Sequence, residues 1–149
     1  MRIVTINKNQ IEKYSIDKEM LLKSRRPCVL IIKLKYKGKR HDFAVPLRSN
    51  ISPSAPKTQY FPLPPRNTTK DGYRHGVHYI KMFPVNKSTT QKFHSDSPFY
   101  SNIKRILDEN EKMIVDQCQK YLNDYEKGKR FAFSTDIDLL LSLIDINNS

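Results

Sequence analysis

The sequence predicts an α+β chain, with most of its strands between its start and Val85 and its long helical segment after them. Three observations carry this expectation. From Cys28 to Ser52, apolar and polar residues alternate on either side of Lys37-Gly38, the pattern of a two-stranded hairpin closed by a tight turn. Val77 to Val85 is apolar at Val77, Tyr79, Ile80, Met82 and Phe83 and is stopped by Pro84, which reads as a further strand. From Phe99 to Lys127, Ile103, Leu107, Ile114, Cys118, Leu122 and Tyr125 recur at helical spacing, a long helix with room for one break. At 149 residues the chain suffices for one hydrophobic core, so a single domain spanning 1–149 is expected.

In order along the chain, Ile3 to Ile6 is a short apolar run that reads as a strand. Asn7 stands where it would cap a short helix from Lys8 to Tyr14, with Ile11 and Tyr14 on one face. Ser15 to Pro27 is polar and basic, with a second helical turn expected around Met20-Leu21-Leu22 and the pair Arg25-Arg26 before Pro27. In the first hairpin strand Leu30, Ile32, Leu34 and Tyr36 share one face, and Ile31, Lys33, Lys35 and Lys37 the other. The basic run continues through Lys39-Arg40-His41. Such a row is either a solvated outer face or a surface that tracks phosphates. In the return strand His41, Phe43, Val45 and Leu47 share a face. Pro46, lacking an N–H, marks an edge or the end of regular pairing, and the polar corner Arg48-Ser49-Asn50 follows.

Ile51 to Gly76 holds most of the prolines. Within it Tyr60 to Leu63 reads as a short extended piece that packs, and Pro64 to His75 as an exposed, flexible, basic loop carrying Arg66, Tyr73 and Arg74. Asn86 to Ser97 reads as a polar connector. Ser97-Pro98 opens the long helix with proline at its first position, and Gly128 ends it. Phe131-Ala132-Phe133 is expected as a closing strand, and Ser134 or Thr135 as the cap of a last helix from Asp136 to Ile144.

The charge balance is lopsided, with 27 Lys and Arg against 15 Asp and Glu and a net charge of +12. A field of that sign captures polyanions, so nucleic acid or an anionic membrane is the expected partner class. Cys28 and Cys118 sit in apolar patterns with no Cys or His at ligand spacing, which reads as two core thiols in a reducing cytoplasm and not as a zinc site. No apolar run approaches the ~18 residues of a membrane span, and MRIVTINKNQ lacks the apolar core of a signal peptide. Other chemistries fall away in turn. The four glycines are not clustered into a phosphate loop, and the carboxylates form no pair suited to glycosidase or two-metal work. Ser49 lacks the Gly-x-Ser-x-Gly elbow of a serine hydrolase, and His75 and His78, three apart on extended backbone, make a poor metal pair. Neither a metal nor a cofactor is expected.

Cleavage of RNA without a metal is compatible with what remains. The substrate's own 2′-hydroxyl attacks the adjacent phosphate, so the protein has to align the chain, move two protons and stabilise the phosphorane. Arg48, Ser49 and Asn50 offer a guanidinium and short donors at a strand end, with Arg40, His41 and Lys57 as basic candidates nearby. Each reads equally as a surface charge or turn residue, and His41 equally as a packed imidazole.

At these residues the chain resembles the type III toxin–antitoxin endoribonucleases, the ToxN and AbiQ family with its CptN and TenpN branches. MRIVTINKNQIEKY resembles the family's opening strand and helix, FAVPLRSN its Pro-Leu-Thr-Ser strand end, and QYFPL its Phe-Phe-x-Leu segment. GVHYIKMFPV is similar to the strand that closes in Met-Ile-Pro, and SPFYSNIKRILDENEKMIVDQCQKYL to the long helix. The order and spacing of these pieces cover nearly the whole chain. The resemblance implies a compact, highly twisted antiparallel β core related to the Kid and MazF toxins, flanked by helices and with a long C-terminal helix. It also implies sequence-selective, metal-independent RNA cleavage that leaves a 2′,3′-cyclic phosphate. The inhibitor it implies is a small structured antitoxin RNA, a pseudoknot cut from a tandem-repeat precursor and held in a closed protein–RNA assembly, with cellular or phage mRNA as substrate.

By position Ser49 matches the family's active-site serine. Arg48 stands where threonine is common, Ile51 where ToxN has a catalytic lysine, and Gln10 at the place of a ToxN tyrosine. Arg48 is therefore expected to stabilise the phosphorane and Lys57 to replace the missing lysine, with His41 as the alternative base. RNA phosphates are expected on Lys33, Lys35, Lys37, Lys39, Arg40, Asn50, Arg66 and Arg74 and on the pairs Arg25-Arg26 and Lys104-Arg105, with bases stacked on Tyr60 and Tyr73. The competing reading is a non-catalytic, basic RNA-binding or regulatory protein. An anionic-membrane binder is weaker, because no basic amphipathic helix supports it.

Overall fold

Lys37 and Gly38 both adopt positive φ, 50° and 80°, the geometry of a two-residue hairpin turn whose twist matches its strands. This turn joins β2 (Cys28–Tyr36) to β3 (Lys39–Ile51), paired antiparallel from Tyr36↔Lys39 to Val29↔Pro46. The computed structural model describes residues 1–6, 28–86, 90–93 and 95–147. The expected helix at Lys8–Tyr14 with its Asn7 cap, the turn around Met20, and Gln10, Arg25 and Arg26 lie outside the described residues.

Seven strands, all antiparallel, form the sheet among these residues. β1 (Arg2–Ile6) lies beside β2, and β7 (Thr90–Lys92) beside β1. β7 falls in the stretch expected as a connector: Thr-Gln-Lys carries no apolar alternation, so only its pairing with β1 makes it a strand. On the other side, β5 (Arg74–His78) pairs with β3 and with β4 (Tyr60–Leu63), and β6 (Phe83–Pro84) pairs with β3 at Phe43 and Ala44.

Pro46 does not end β3. It still pairs with Val29, and the strand runs on to Ile51 by exchanging partners, taking β5 from Leu47 onward. Val77 to Val85 is correspondingly not one strand. A 3₁₀ turn at Tyr79–Lys81 separates β5 from β6 and carries the chain from one half of β3 to the other.

Ser97 caps α1 (Pro98–Glu109) by accepting a hydrogen bond from the Tyr100 N–H at 3.2 Å, with Pro98 at the first helical position. Asn110 interrupts the helix at φ −114° before α2 (Glu111–Glu126), and Gly128 follows with φ +100°. Ile103, Leu107, Ile114, Cys118 and Leu122 from these helices pack on Leu30, Ile32, Leu34, Tyr36, Phe43 and Val45. The last helix, α3 (Ile137–Asn147), lies over the opposite face with Leu140, Leu143 and Ile144 against Val4, Val29, Ile31, Ala44 and Phe83. Its cap is Asp136, whose Oδ1 accepts the Leu139 N–H at 3.1 Å, in place of Ser134 or Thr135. Thr135 is instead buried, its N–H bonded to the Ile80 carbonyl at 3.0 Å and its hydroxyl to that of Met82.

Phe131 to Phe133 forms a turn and no strand. Phe133 sits at φ 67°, outside the β region, and the Ser134 N–H closes back on the Phe131 carbonyl. No helix of the described residues is long and apolar enough to cross a membrane.

Candidate active site at the corner of β3

Register places Arg48 opposite Gly76 and Tyr60 opposite His78. Residues two apart on a strand share a face, so Arg48, Gly76, His78 and Tyr60 look the same way. Leu47, Phe61, Leu63 and Val77 look the other way and join the core beneath α1 and α2. Between Arg48 and Ile51 the register of β3 against β5 shifts, so Ser49 and Asn50 occupy an irregular stretch that bends the strand. Both are half-buried. β2 reaches no further than Val29 opposite Pro46, so past Leu47 the second edge of β3 has no strand partner among the described residues.

Arg48 Nη1 lies 3.3 Å from His78 Nδ1. A guanidinium only donates, so Nδ1 accepts and the neutral ring carries its proton on Nε2. That Nε2 is buried and has no hydrogen-bond partner among the described residues. Burial first, and then the charges of Arg48 and Lys81, lower the His78 pKa to about 3. Lys81, on the 3₁₀ turn, is itself 94% buried, being only 6% exposed. Two cations thus flank an imidazole that stays uncharged at neutral pH, a setting suited to holding an anion. Such a ring is a feeble base near pH 7, whereas a guanidinium such as that of Arg48 can donate to a charged oxygen.

His78 and Lys81 were not among the residues expected to act on RNA. The sequence does carry one signal for them, two polar side chains, His78 and Lys81, inside the otherwise apolar run from Val77 to Val85.

The other expected residues are scattered. His41 is half-buried and packs edge-on to Phe43, ring centres 6.3 Å apart, seven residues along β3 from Arg48 or roughly 23 Å of extended chain. Lys57 is exposed on a 3₁₀ turn (Lys57–Gln59) and makes no ion pair or hydrogen bond to Arg48 or Ser49. Ile51 is fully buried. Asn50 holds the neighbouring loop, its Oδ1 accepting the Lys70 N–H at 2.8 Å. Turns order that loop, and it is exposed from Pro65 to Arg74 except at half-buried Thr69, as expected; only His75 at its end is buried, in β5.

Lys33, Lys35, Lys39 and Arg40 are exposed as expected of a basic face, though Val29 and Ile31 on the same face of β2 are covered by α3. Lys37 is engaged by Asp138 at 3.0 Å, and Arg105 by Glu109 at 3.1 Å, while Lys104 is exposed. Tyr60, 7% exposed, presents no open ring face; Tyr73, 41% exposed, does, with Lys70 above it. Arg66 and Arg74 are exposed, Arg74 donating to the Gly72 carbonyl. Among the described residues no group of three or more His, Cys, Asp or Glu side chains converges as a metal site would require.

No protein-family profile and no curated protein sequence matches the chain. Solved structures do, at the level of the fold. AbiQ, a lactococcal anti-phage endoribonuclease of a type III toxin–antitoxin system, shares 14% identity over 99% of this chain and 97% of its own, with a TM-score of 0.76. A toxin of a bacterial type III system, selectively inhibited by a non-coding RNA pseudoknot, shares 18% identity over 99% and 98%, at 0.75. A protein of a bacterial antiviral system regulated by a processed non-coding RNA shares 16% over 97% and 98%, at 0.73. The chain therefore has the fold of the type III toxins along almost its entire length.

Proposed function

We propose that this chain is an endoribonuclease toxin of a type III toxin–antitoxin system. It acts in the cytoplasm, cleaves RNA without a metal and leaves a 2′,3′-cyclic phosphate. In this reading it is restrained by a small structured RNA that fills its active site and closes a protein–RNA assembly around it. The observation that carries the reading is the meeting of Arg48, the residue before Ser49 in the chain, with His78 and Lys81, on a fold shared with RNA-regulated toxins over nearly the full chain.

The 2′-oxygen attacks phosphorus as the 5′-oxygen leaves, so negative charge grows on the two non-bridging oxygens. The Arg48 guanidinium stabilises that charge with directed donors and Lys81 adds its field. Ser49 hydrogen-bonds a phosphate oxygen and keeps the attacking and leaving atoms in line. His78 stays neutral and holds the guanidinium in place. Proton transfer falls to Lys57, on its exposed turn, or to water, because His41 is held in the β3 ladder too far along the strand from Arg48.

The test is cleavage of a defined RNA in the presence of EDTA, with the ends characterised. Wild-type protein is expected to cut and leave cyclic phosphate, and Ser49→Ala and Arg48→Ala to lose about 100-fold or more, as removal of one oxyanion donor does. Cleavage by these two variants at the wild-type rate would remove the assignment. Salt-dependent RNA binding without cleavage under any condition would favour the non-catalytic reading.

A further inference from the structure

Behind the corner of β3 lies a cleft of about 200 Å³, between Leu47, the β5 residue His75 and the start of α1. We propose that this cleft is a subsite for one unpaired nucleobase of single-stranded RNA, the base next to the phosphate held at Arg48 and Ser49. The proposal rests on the endoribonuclease reading for its register and names which part of the substrate is recognised.

Its walls are rings. Phe93 and Tyr100 meet edge-on with centres 5.1 Å apart, and Phe99 tilts across His75 at 6.1 Å. Phe99 keeps 36% of its surface exposed, unlike the aromatic residues of the core. Exposed rings on a chain of net charge +12 suit a flat, polyanion-borne partner. Polar groups complete the cleft. His75 Nδ1 lies 2.7 Å from the Pro64 carbonyl, which can only accept, so Nδ1 donates and Nε2 of the neutral ring is an acceptor. Burial lowers the His75 pKa and keeps the ring in that form. Arg66, also in the lining, brings donors. A donor and an acceptor beside stacking surfaces are what reading a base edge needs.

Size and position narrow the occupant. Sites that enclose a whole small ligand measure roughly 300–1,000 Å³, so this cleft suits a single planar ring system and leaves sugar and phosphate outside. Leu47 lines it, and the next residues along the chain are Arg48 and Ser49. Leu47 and Arg48 are adjacent on β3 and look to opposite sides of the sheet, so a strand passing this corner places its phosphate on the Arg48 side and turns the neighbouring base to the Leu47 side.

The test uses short 2′-O-methyl RNA, whose blocked 2′-oxygen prevents cleavage, with an abasic site moved through each position. For wild-type protein one position is expected to weaken binding about 10-fold or more, the usual effect of losing one base–aromatic stack. Phe99→Ala should weaken the intact oligonucleotide by a similar factor and no longer respond to the abasic site, while Phe99→Tyr, which keeps the ring, restores the response. Arg66→Gln, at an exposed side chain, should change which base is preferred there without removing the abasic effect.

Identical abasic profiles for wild type, Phe99→Ala and Arg66→Gln would overturn the subsite. So would uniform loss at every position, as for backbone binding alone, or binding of an apolar peptide in the cleft with no abasic effect. If the abasic signature is present but unmodified RNA is never cut, the subsite stands and the toxin reading fails. Cutting with no signature is the reverse.

Discussion

Arg48 donates to Nδ1 of His78 across 3.3 Å, and this contact fixes the tautomer of a buried ring between two cations. The partners are thirty residues apart in sequence, on strands that β3 brings together only after leaving β2.

The first prediction concerns acid. His78 titrates near 6.5 when unfolded and at about 3 when folded, so between those values the unfolded chain binds more protons. Stability is complete above about pH 6.5 and falls as pH drops towards 3, with a slope of at most ~1.4 kcal/mol per pH unit from this group. His75, also lowered, contributes with the same sign. Urea unfolding from pH 7 to pH 4 should show the decline, and His78→Gln should flatten it. An unchanged slope would mean that the ring is not held neutral.

Gly76 is constrained by its neighbour. A Cβ at this position would run into the carbonyl oxygen of Phe61, a backbone atom of β4 that cannot turn aside. Gly76→Ala is expected to cost about 1–3 kcal/mol, the range of overpacked sites, and to loosen the ladder on which Arg48 pairs. Chemical denaturation gives the first effect, and amide exchange in Phe61 and Val77 the second.

Asp138 ties the hairpin turn to α3. Its carboxylate accepts the Tyr36 hydroxyl at 2.7 Å and pairs with Lys37 at 3.0 Å. The ion pair is exposed on both sides and contributes little, so most of the effect of Asp138→Ala comes from the stranded Tyr36 hydroxyl, about 1–2 kcal/mol. In a Tyr36→Phe background the same substitution should cost under ~0.5 kcal/mol. A double-mutant cycle by urea unfolding checks this.

Phe133 is 71% exposed yet held at φ 67°, where a bulky residue is strained. Phe133→Asn, which tolerates that backbone and gives up almost no buried surface, should raise stability by roughly 0.5–1 kcal/mol. A higher urea midpoint with unchanged m-value would confirm it; a lower midpoint would show that the exposed ring contributes packing.

What the sequence determined by itself was local. The hairpin, its Lys37-Gly38 turn, the Ser97-Pro98 helix start and the Gly128 stop could all be read, because periodicity and capping depend on residues a few positions apart. Ser49 and Arg48 were legible as a polar corner for the same reason. Tertiary structure decided the rest. β3 runs through Pro46 because β5 takes over the pairing from Leu47 where β2 ends. Thr90–Lys92 is a strand only because β1 has an edge to offer. Part of the lysine-bearing face of β2 is roofed by α3, whose apolar side gave no hint of its destination. His78 and Lys81 join Arg48 through burial, and the desolvation that lowers the His78 pKa belongs to no single segment of chain.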